Sequence, residues 1–119
     1  MNNEQMMLSD IKLSEKLAPI FIKIMAERIR QHETWGEQNH PMISDPFTKE
    51  QMKIGENFYR GINLYGKDSS WFAILMEEVC EAFAETEMEK QREELIQCCA
   101  VIVQIIEYLD RVKEVAVVT

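Results

Sequence analysis

The sequence predicts an all-α protein. Only four glycines and three prolines are spread over 119 residues. The chain also lacks the runs of alternating Val, Thr and Ile that mark several strands. Its length suits one domain, and a hydrophobic fraction of 46% is sufficient for a packed core. We therefore expect a single helical domain over residues 1–119, with the polar, Met-rich residues 1–12 frayed.

The first helix is predicted from about Ala18 to Trp35. Pro19 lacks an amide hydrogen and fits best in the first turn of a helix. Gly36 is a plausible end for this helix. Residues 36–47 contain two prolines and several polar side chains. This composition predicts a loop of about a dozen residues.

A second helix is predicted from about Lys49 to Leu64. Thr48 and Gln51 have the spacing of a capping box, in which each side chain caps the other's backbone. A short break follows, and either Asp68 or Ser69 is expected to cap the third helix.

Residues 71–110 are predicted to form two antiparallel helices. The tip of this hairpin is placed between Thr86 and Met88, where Thr86-x-x-Glu89 offers a helix start. Both helices rise equally per residue, so positions equidistant from the tip lie at the same level. Glu81 is then level with Glu94. By the same argument, Glu78 is level with Gln97.

The helical periodicity directs these acids toward the interior. Glu78 and Glu81 border the apolar arc of the third helix, and Glu94 shares its line with Cys98 and Val101. Burying several carboxylates together is costly unless they are paired, protonated or bound to a metal. The apolar arcs contain no basic residue that could pair with them. Oxygen ligands without histidine predict Mg²⁺ or Mn²⁺ rather than zinc, and the Glu-x-x-His pairs of di-iron bundles are absent.

Charge and cysteine content restrict the partners and the compartment. A formal net charge of −8 disfavours a nucleic-acid polymer or an anionic membrane as partner. Three cysteines without paired zinc spacing indicate reduced, buried thiols and thus an intracellular protein. The N-terminus lacks the pattern of a secretory signal, so a cytoplasmic location is expected.

The run from Leu95 to Ile106 is apolar on nearly every side of its helix. It is too short to span a bilayer, for which roughly 20 residues are needed. A chain of this length can hardly cover such a helix alone. We therefore expect a homo-oligomer, a dimer or a tetramer, with this helix near its centre.

Two motifs are similar to those of a known family. Glu77-Glu78-x-x-Glu81 is followed after twelve residues by Glu94-x-x-Gln97, and Trp35 to Pro41 resembles the N-terminal part of small phage and bacterial members. Together they resemble the MazG-like, all-α nucleoside triphosphate pyrophosphohydrolases. The resemblance implies a helical domain of the four-helix-bundle type over most of the chain.

The resemblance also implies an activity and its residues. Members cleave a nucleoside triphosphate between its α and β phosphates with Mg²⁺. Carried over to this chain, the metal ligands are Glu78, Glu81 and Glu94, with Gln97 at the fourth position. Glu77 is a nearby supporting acid, and the catalytic acids are then Glu77, Glu78 and Glu81.

Substrate contacts are expected from the segment after the first helix. Trp35 offers a stacking ring, and Gln38, Asn39 and His40 offer groups that could bind a base. The resemblance places this segment near the nucleotide. The alternative for Trp35 is that it anchors the end of the first helix. Arg60 is a candidate phosphate contact, with a solvated surface charge as its alternative.

The chain departs from the family at Gln97, where members usually have Asp. An amide oxygen can approach a metal but supplies no negative charge and cannot act as a base. Three interpretations follow: a weaker site that still works, transfer of the ligand role to Glu77 or Glu93, or loss of catalysis. The first is favoured, because the other acids stay in register. Loss of catalysis would leave a silent module that binds nucleotide or protein, and a purely structural oligomer is a third hypothesis.

Overall fold

The computed structural model describes residues 1–66 and 69–118, without the side chains of residues 117 and 118. Four helices occur in this part of the chain: α1 (Asn3–Trp35), α2 (Pro46–Tyr65), α3 (Trp71–Ala84) and α4 (Met88–Val118). The described residues form no strand, so the predicted all-α class is confirmed. The chain divides into two compact units, residues 1–40 and residues 41–119.

Helix α1 is the main element of the first unit, and it begins earlier than the sequence predicts. Asn2 caps it through a reciprocal pair of hydrogen bonds with Gln5, of 2.8 and 3.0 Å. The expected start near Ala18 is therefore wrong, and residues 3–12, which were expected to be frayed, belong to the helix. Pro19 lies inside the helix rather than in its first turn. Gly36 ends the helix with a φ of 65°, a conformation that favours glycine.

Helix α2 opens the second unit and is capped by Asp45. The Asp45 carboxylate accepts hydrogen bonds from the backbone N–H of Thr48 at 2.8 Å and from its hydroxyl at 2.9 Å. Pro46 occupies the first turn, where its missing amide hydrogen costs nothing. The predicted capping box of Thr48 and Gln51 is wrong, because Asp45 caps the helix three residues earlier.

Helix α3 begins at Trp71, as predicted, but its cap is Ser70. The Ser70 hydroxyl accepts a hydrogen bond from the Ala73 N–H at 3.1 Å. Ser69, one of the two predicted caps, instead donates its hydroxyl to Asn63 Oδ1 at 2.6 Å. The other predicted cap, Asp68, lies outside the described residues.

The turn between α3 and α4 falls where the hairpin was predicted. Its organiser is Glu85 rather than Thr86, because the Glu85 carboxylate accepts the backbone N–H groups of Thr86 at 2.9 Å and Glu87 at 3.1 Å. Across the turn, Gln91 Nε2 donates to the Ala82 carbonyl at 3.0 Å. These bonds fix the direction in which α4 leaves the turn. The helix then continues to Val118, past the predicted end at residue 110.

Helix α3 packs against both α2 and α4, so it forms the middle of the second unit. The buried side chains on α3 and α4 are mostly small: Ala73, Cys80, Ala82, Cys98 and Val103. A Cβ atom built on Gly55 of α2 would lie 2.8 Å from Cys80 Sγ, so the backbone of α2 approaches α3 closely at this point. At the other end of α3, the Trp71 ring lies 6.0 Å from the Tyr108 ring of α4.

The surface of α4 remains partly apolar. Ile96 and Ile102 are 53% and 42% exposed, so the described chain does not cover the central run of this helix by itself. All three cysteines are free; Cys80 and Cys98 are buried, but Cys99 is exposed, contrary to prediction. Within the described ranges, no helix is both long enough and apolar enough to cross a membrane.

Candidate functional site

An acidic cleft of about 290 Å³ lies in the second unit, where α2, α3 and the start of α4 meet. Glu81 of α3 and Glu94 of α4 line it together, as the hairpin geometry predicts. Helix α2 contributes Lys53 and Glu56 to the same cleft. Three helices therefore direct carboxylates into one concave space.

Two carboxylate oxygens near this cleft lack a hydrogen-bond partner in the described part of the chain. They are Glu78 Oε2 and Glu94 Oε2, and both atoms are fully buried. A buried oxygen without a partner loses its hydration and gains nothing in return. The two atoms are therefore suited to accept a cation or a proton.

The pKa values of Glu78 and Glu94 are both raised, which agrees with the burial of their unpartnered oxygens. Burial raises the pKa of Glu78, and the negative charges of Glu81 and Glu77 raise it further. Burial also raises the pKa of Glu94, with further contributions from the charges of Glu81, Glu85, Glu56 and Glu78. Burial and the neighbouring negative charges therefore disfavour the charged forms of Glu78 and Glu94 in the absence of a cation.

A pH-dependent stability difference follows for Glu94. Because the folded state raises its pKa, Glu94 favours folding at a pH below its unfolded value, and this contribution is lost as the pH rises through the folded value. In metal-free buffer, Glu94→Gln is expected to match the wild-type Tm at about pH 4 and to exceed it increasingly toward about pH 7. Thermal melts with a chelator would measure this. Glu93→Gln, which makes the same substitution at an exposed neighbouring position, is the control variant.

Glu77 has different partners from the other acids of its motif. Its carboxylate accepts a hydrogen bond from Asn63 Nδ2 at 2.8 Å and one from Arg60 Nε at 3.4 Å. Asn63 also donates to the Ala73 carbonyl at 3.2 Å, which ties α2 to α3. Glu77 is thus held against α2 by the polar contacts between these helices.

Glu56 is the functional candidate that the sequence analysis missed. It is the most buried charged residue of the described chain, at 5% exposure. Its carboxylate pairs with Arg60 at 2.6 Å and with Lys53 at 3.2 Å. The helical spacing could have revealed it, since Glu56 lies four residues after Met52 and three before Tyr59, on the same face of α2 as these two side chains.

The structure separates some of the residues that the resemblance groups together. Gln97, the expected fourth metal ligand, is exposed on α4 and does not line the acidic cleft. Arg60, the expected phosphate contact, is paired with Glu56 and Glu77. Among residues 1–66 and 69–118, no three acidic, histidine or cysteine side chains stand close enough together to hold a metal ion. Glu78, Glu81 and Glu94 therefore do not form a ready-made set of ligands.

The other predicted substrate residues belong to the first unit. Trp35, Gln38 and His40 line a cleft of about 540 Å³ there, together with Arg28 and Arg30. Trp35 is 61% exposed, so it offers its ring to solvent rather than anchoring the end of α1 in a core. Asn39 is exposed and does not line this cleft.

No protein-family model matches the chain, and neither the search of the curated proteins nor that of the solved structures finds a match.

Proposed function

We propose that this protein is a Mg²⁺-dependent nucleotide pyrophosphohydrolase of the MazG-like class. It would cleave ribo- or deoxyribonucleoside triphosphates between the α and β phosphates, giving the monophosphate and pyrophosphate. The observation that supports this most is the pair of buried, unpartnered oxygens, Glu78 Oε2 and Glu94 Oε2. They come from the two helices that bear the family-like motifs, next to the cleft that contains Glu81.

The donor set suits a hard divalent cation. Glu78, Glu81 and Glu94 supply only oxygen, the donor that Mg²⁺ and Mn²⁺ prefer. Mutual repulsion keeps such carboxylates apart, and a bound cation would offset the cost of bringing them together. When bound, Mg²⁺ neutralises charge on phosphate oxygens and polarises the bond to phosphorus.

The chain itself supplies the remaining functions. One carboxylate of this group would orient the attacking water and accept its proton. Glu77, held by Arg60 and Asn63, ties the helix that bears Glu78 and Glu81 to α2. Lys53 lines the acidic cleft and is 63% exposed in its side chain, so its ammonium group can turn toward a phosphate.

Two observations favour a second candidate function. Gln97 lies outside the cleft and the acids are not assembled around a common point, as would be expected of a silent module that binds nucleotide or a protein partner without turnover. Such a module keeps the fold and the cleft but lacks a working metal site. A purely structural helical oligomer would bind neither ligand.

An assay of pyrophosphate release separates these functions. The common ribo- and deoxyribonucleoside triphosphates are incubated with Mg²⁺ or Mn²⁺, and pyrophosphate and monophosphate are measured together. Equal amounts of the two products, dependent on the metal, are expected. Binding without release would indicate the silent module. A Tm unaffected by Mg²⁺ and nucleotide would indicate the structural oligomer, since a ligand of the folded state raises the Tm.

The proposal includes a cytoplasmic homo-oligomer, either a dimer or a tetramer. Three free cysteines are typical of a reducing compartment. A second copy would bury the exposed apolar side chains of α4, Ile96 and Ile102 among them. Association of this kind would complete the bundle that the subunit begins.

A further inference from the structure

A second cleft of the same unit adjoins the acidic cleft. Its volume is about 470 Å³, within the usual range for small-molecule sites. The two clefts share Glu85 and Thr86 at the turn between α3 and α4, so they are neighbours at this turn. Their linings differ, because Met42 and Phe83 give the second cleft an apolar wall that the acidic cleft lacks.

The two neighbouring clefts offer groups suited to the two ends of a nucleoside triphosphate. The carboxylates and Lys53 lie in the acidic cleft, suited to a cation and phosphates. Lys49, one helical turn before Lys53 on α2, lines the second cleft. Together the two lysines supply one positive charge from α2 to each cleft.

Polar groups in the second cleft are fixed by the fold. Gln91 Nε2 donates to the Ala82 carbonyl, and the amide oxygen of Gln91 keeps its capacity to accept a hydrogen bond from a ligand. Phe83 of α3 is half-buried and offers part of its ring to the cleft. An aromatic ring beside an amide is the combination that binds a planar heterocycle.

We infer that the cleft lined by Met42, Phe83 and Gln91 binds the nucleoside end of the substrate. This inference rests on the proposed function for the identity of the ligand as a nucleoside triphosphate. It assigns the base to the second unit, whereas the resemblance assigns it to Trp35, Gln38 and Asn39. The two assignments therefore predict that different substitutions weaken nucleotide binding.

The test compares a ligand that has a nucleoside with one that lacks it. Binding of an α,β-imido nucleoside triphosphate and of inorganic tripolyphosphate, both with Mg²⁺, is measured by calorimetry for wild type, Met42→Ala, Phe83→Leu and Trp35→Ala. Met42 is 50% exposed, so its truncation should leave the fold intact even if Phe83→Leu does not. Phe83→Leu is expected to raise the nucleotide Kd by about fivefold or more, since it removes an aromatic ring that can stack on the base. The Kd of tripolyphosphate should stay within about twofold.

Three results would overturn the inference. The first is a nucleotide Kd that is unchanged in both the Met42 and the Phe83 variants. The second is an equal loss of affinity for nucleotide and for tripolyphosphate, and the third is a loss of nucleotide affinity that occurs only in Trp35→Ala. Each can occur in a wild-type enzyme that releases pyrophosphate, in which case the proposed function stands and only the subsite is wrong. Conversely, a wild type that binds nucleotide selectively but releases no pyrophosphate would refute the activity and retain the subsite.

Discussion

Replacing Glu94 by glutamine is expected to abolish Mg²⁺-dependent release of pyrophosphate, with a loss of about 100-fold or more. The substitution keeps the size of the side chain but removes the negative charge that faces Glu81 and Glu78. A neutral amide binds Mg²⁺ weakly and cannot accept a proton from water. The measurement is kcat/KM for pyrophosphate release at saturating Mg²⁺, with circular dichroism to confirm the helical content.

Controls on the same helices make the result specific. Glu81→Gln should cause a comparable loss, because Glu81 lines the same cleft as Glu94. Glu93→Gln removes the same charge at an exposed position of α4 and should retain most of the activity. Full activity in both Glu81→Gln and Glu94→Gln would refute the assignment of the metal site. The pH-dependent gain in Tm expected for Glu94→Gln would still be measurable in an inactive protein.

Substitution of Gly55 by valine is expected to lower the stability of the second unit by about 1–3 kcal/mol. Even the first atom of a new side chain would lie 2.8 Å from Cys80 Sγ, and Cys80 is only 2% exposed. The helices α2 and α3 would have to separate. Urea unfolding followed by circular dichroism measures the change, and an altered m-value would indicate a change beyond local packing.

Gly61 is the matched control for Gly55. It lies in the same helix, but a Cβ atom built there meets nothing within 4 Å. Gly61→Ala should therefore raise stability by about 0.5–1 kcal/mol through helix propensity alone. If Gly55→Val lowered stability no more than Gly61→Ala, α2 and α3 could not approach each other as closely as described at Gly55.

The sequence predicted the helices better than it predicted their beginnings. The hairpin turn at residues 85–87 was placed by the Thr86-x-x-Glu89 pattern, and the start of α3 by the break that precedes Trp71. The start of α1 was missed because Pro19 was placed in a first turn, whereas the helix accepts a proline in its interior. The start of α2 was missed because two capping patterns overlap, and Asp45 acts in place of Thr48. Local capping motifs show where a helix can begin and leave open which of two starts the fold adopts.

The candidate site was predictable where it depended on one hairpin. Equal rise along α3 and α4 was enough to bring Glu81 and Glu94 to one cleft. The contribution of Glu56 was not predicted, because the packing of α2 on α3 depends on the close approach at Gly55. Glu56 was therefore recognised as part of the site only from the structure. The exposure of Gln97 was not predicted either. It depends on how α4 is rotated about its own axis, and matching residues by their height along the hairpin does not determine that rotation.

The three cysteines give the chain a built-in set of chemical reporters. Cys99 is exposed and open to alkylating reagents, while Cys80 and Cys98 are buried on the faces where α3 meets its neighbours. Burial and nearby acids raise the pKa of Cys98 to about 11, so little reactive thiolate exists there at neutral pH. Alkylation of the two buried thiols would therefore require the helices to open first. The labelling ratio between Cys99 and Cys98 would report how often the hairpin separates, and how far a cation or nucleotide holds it closed.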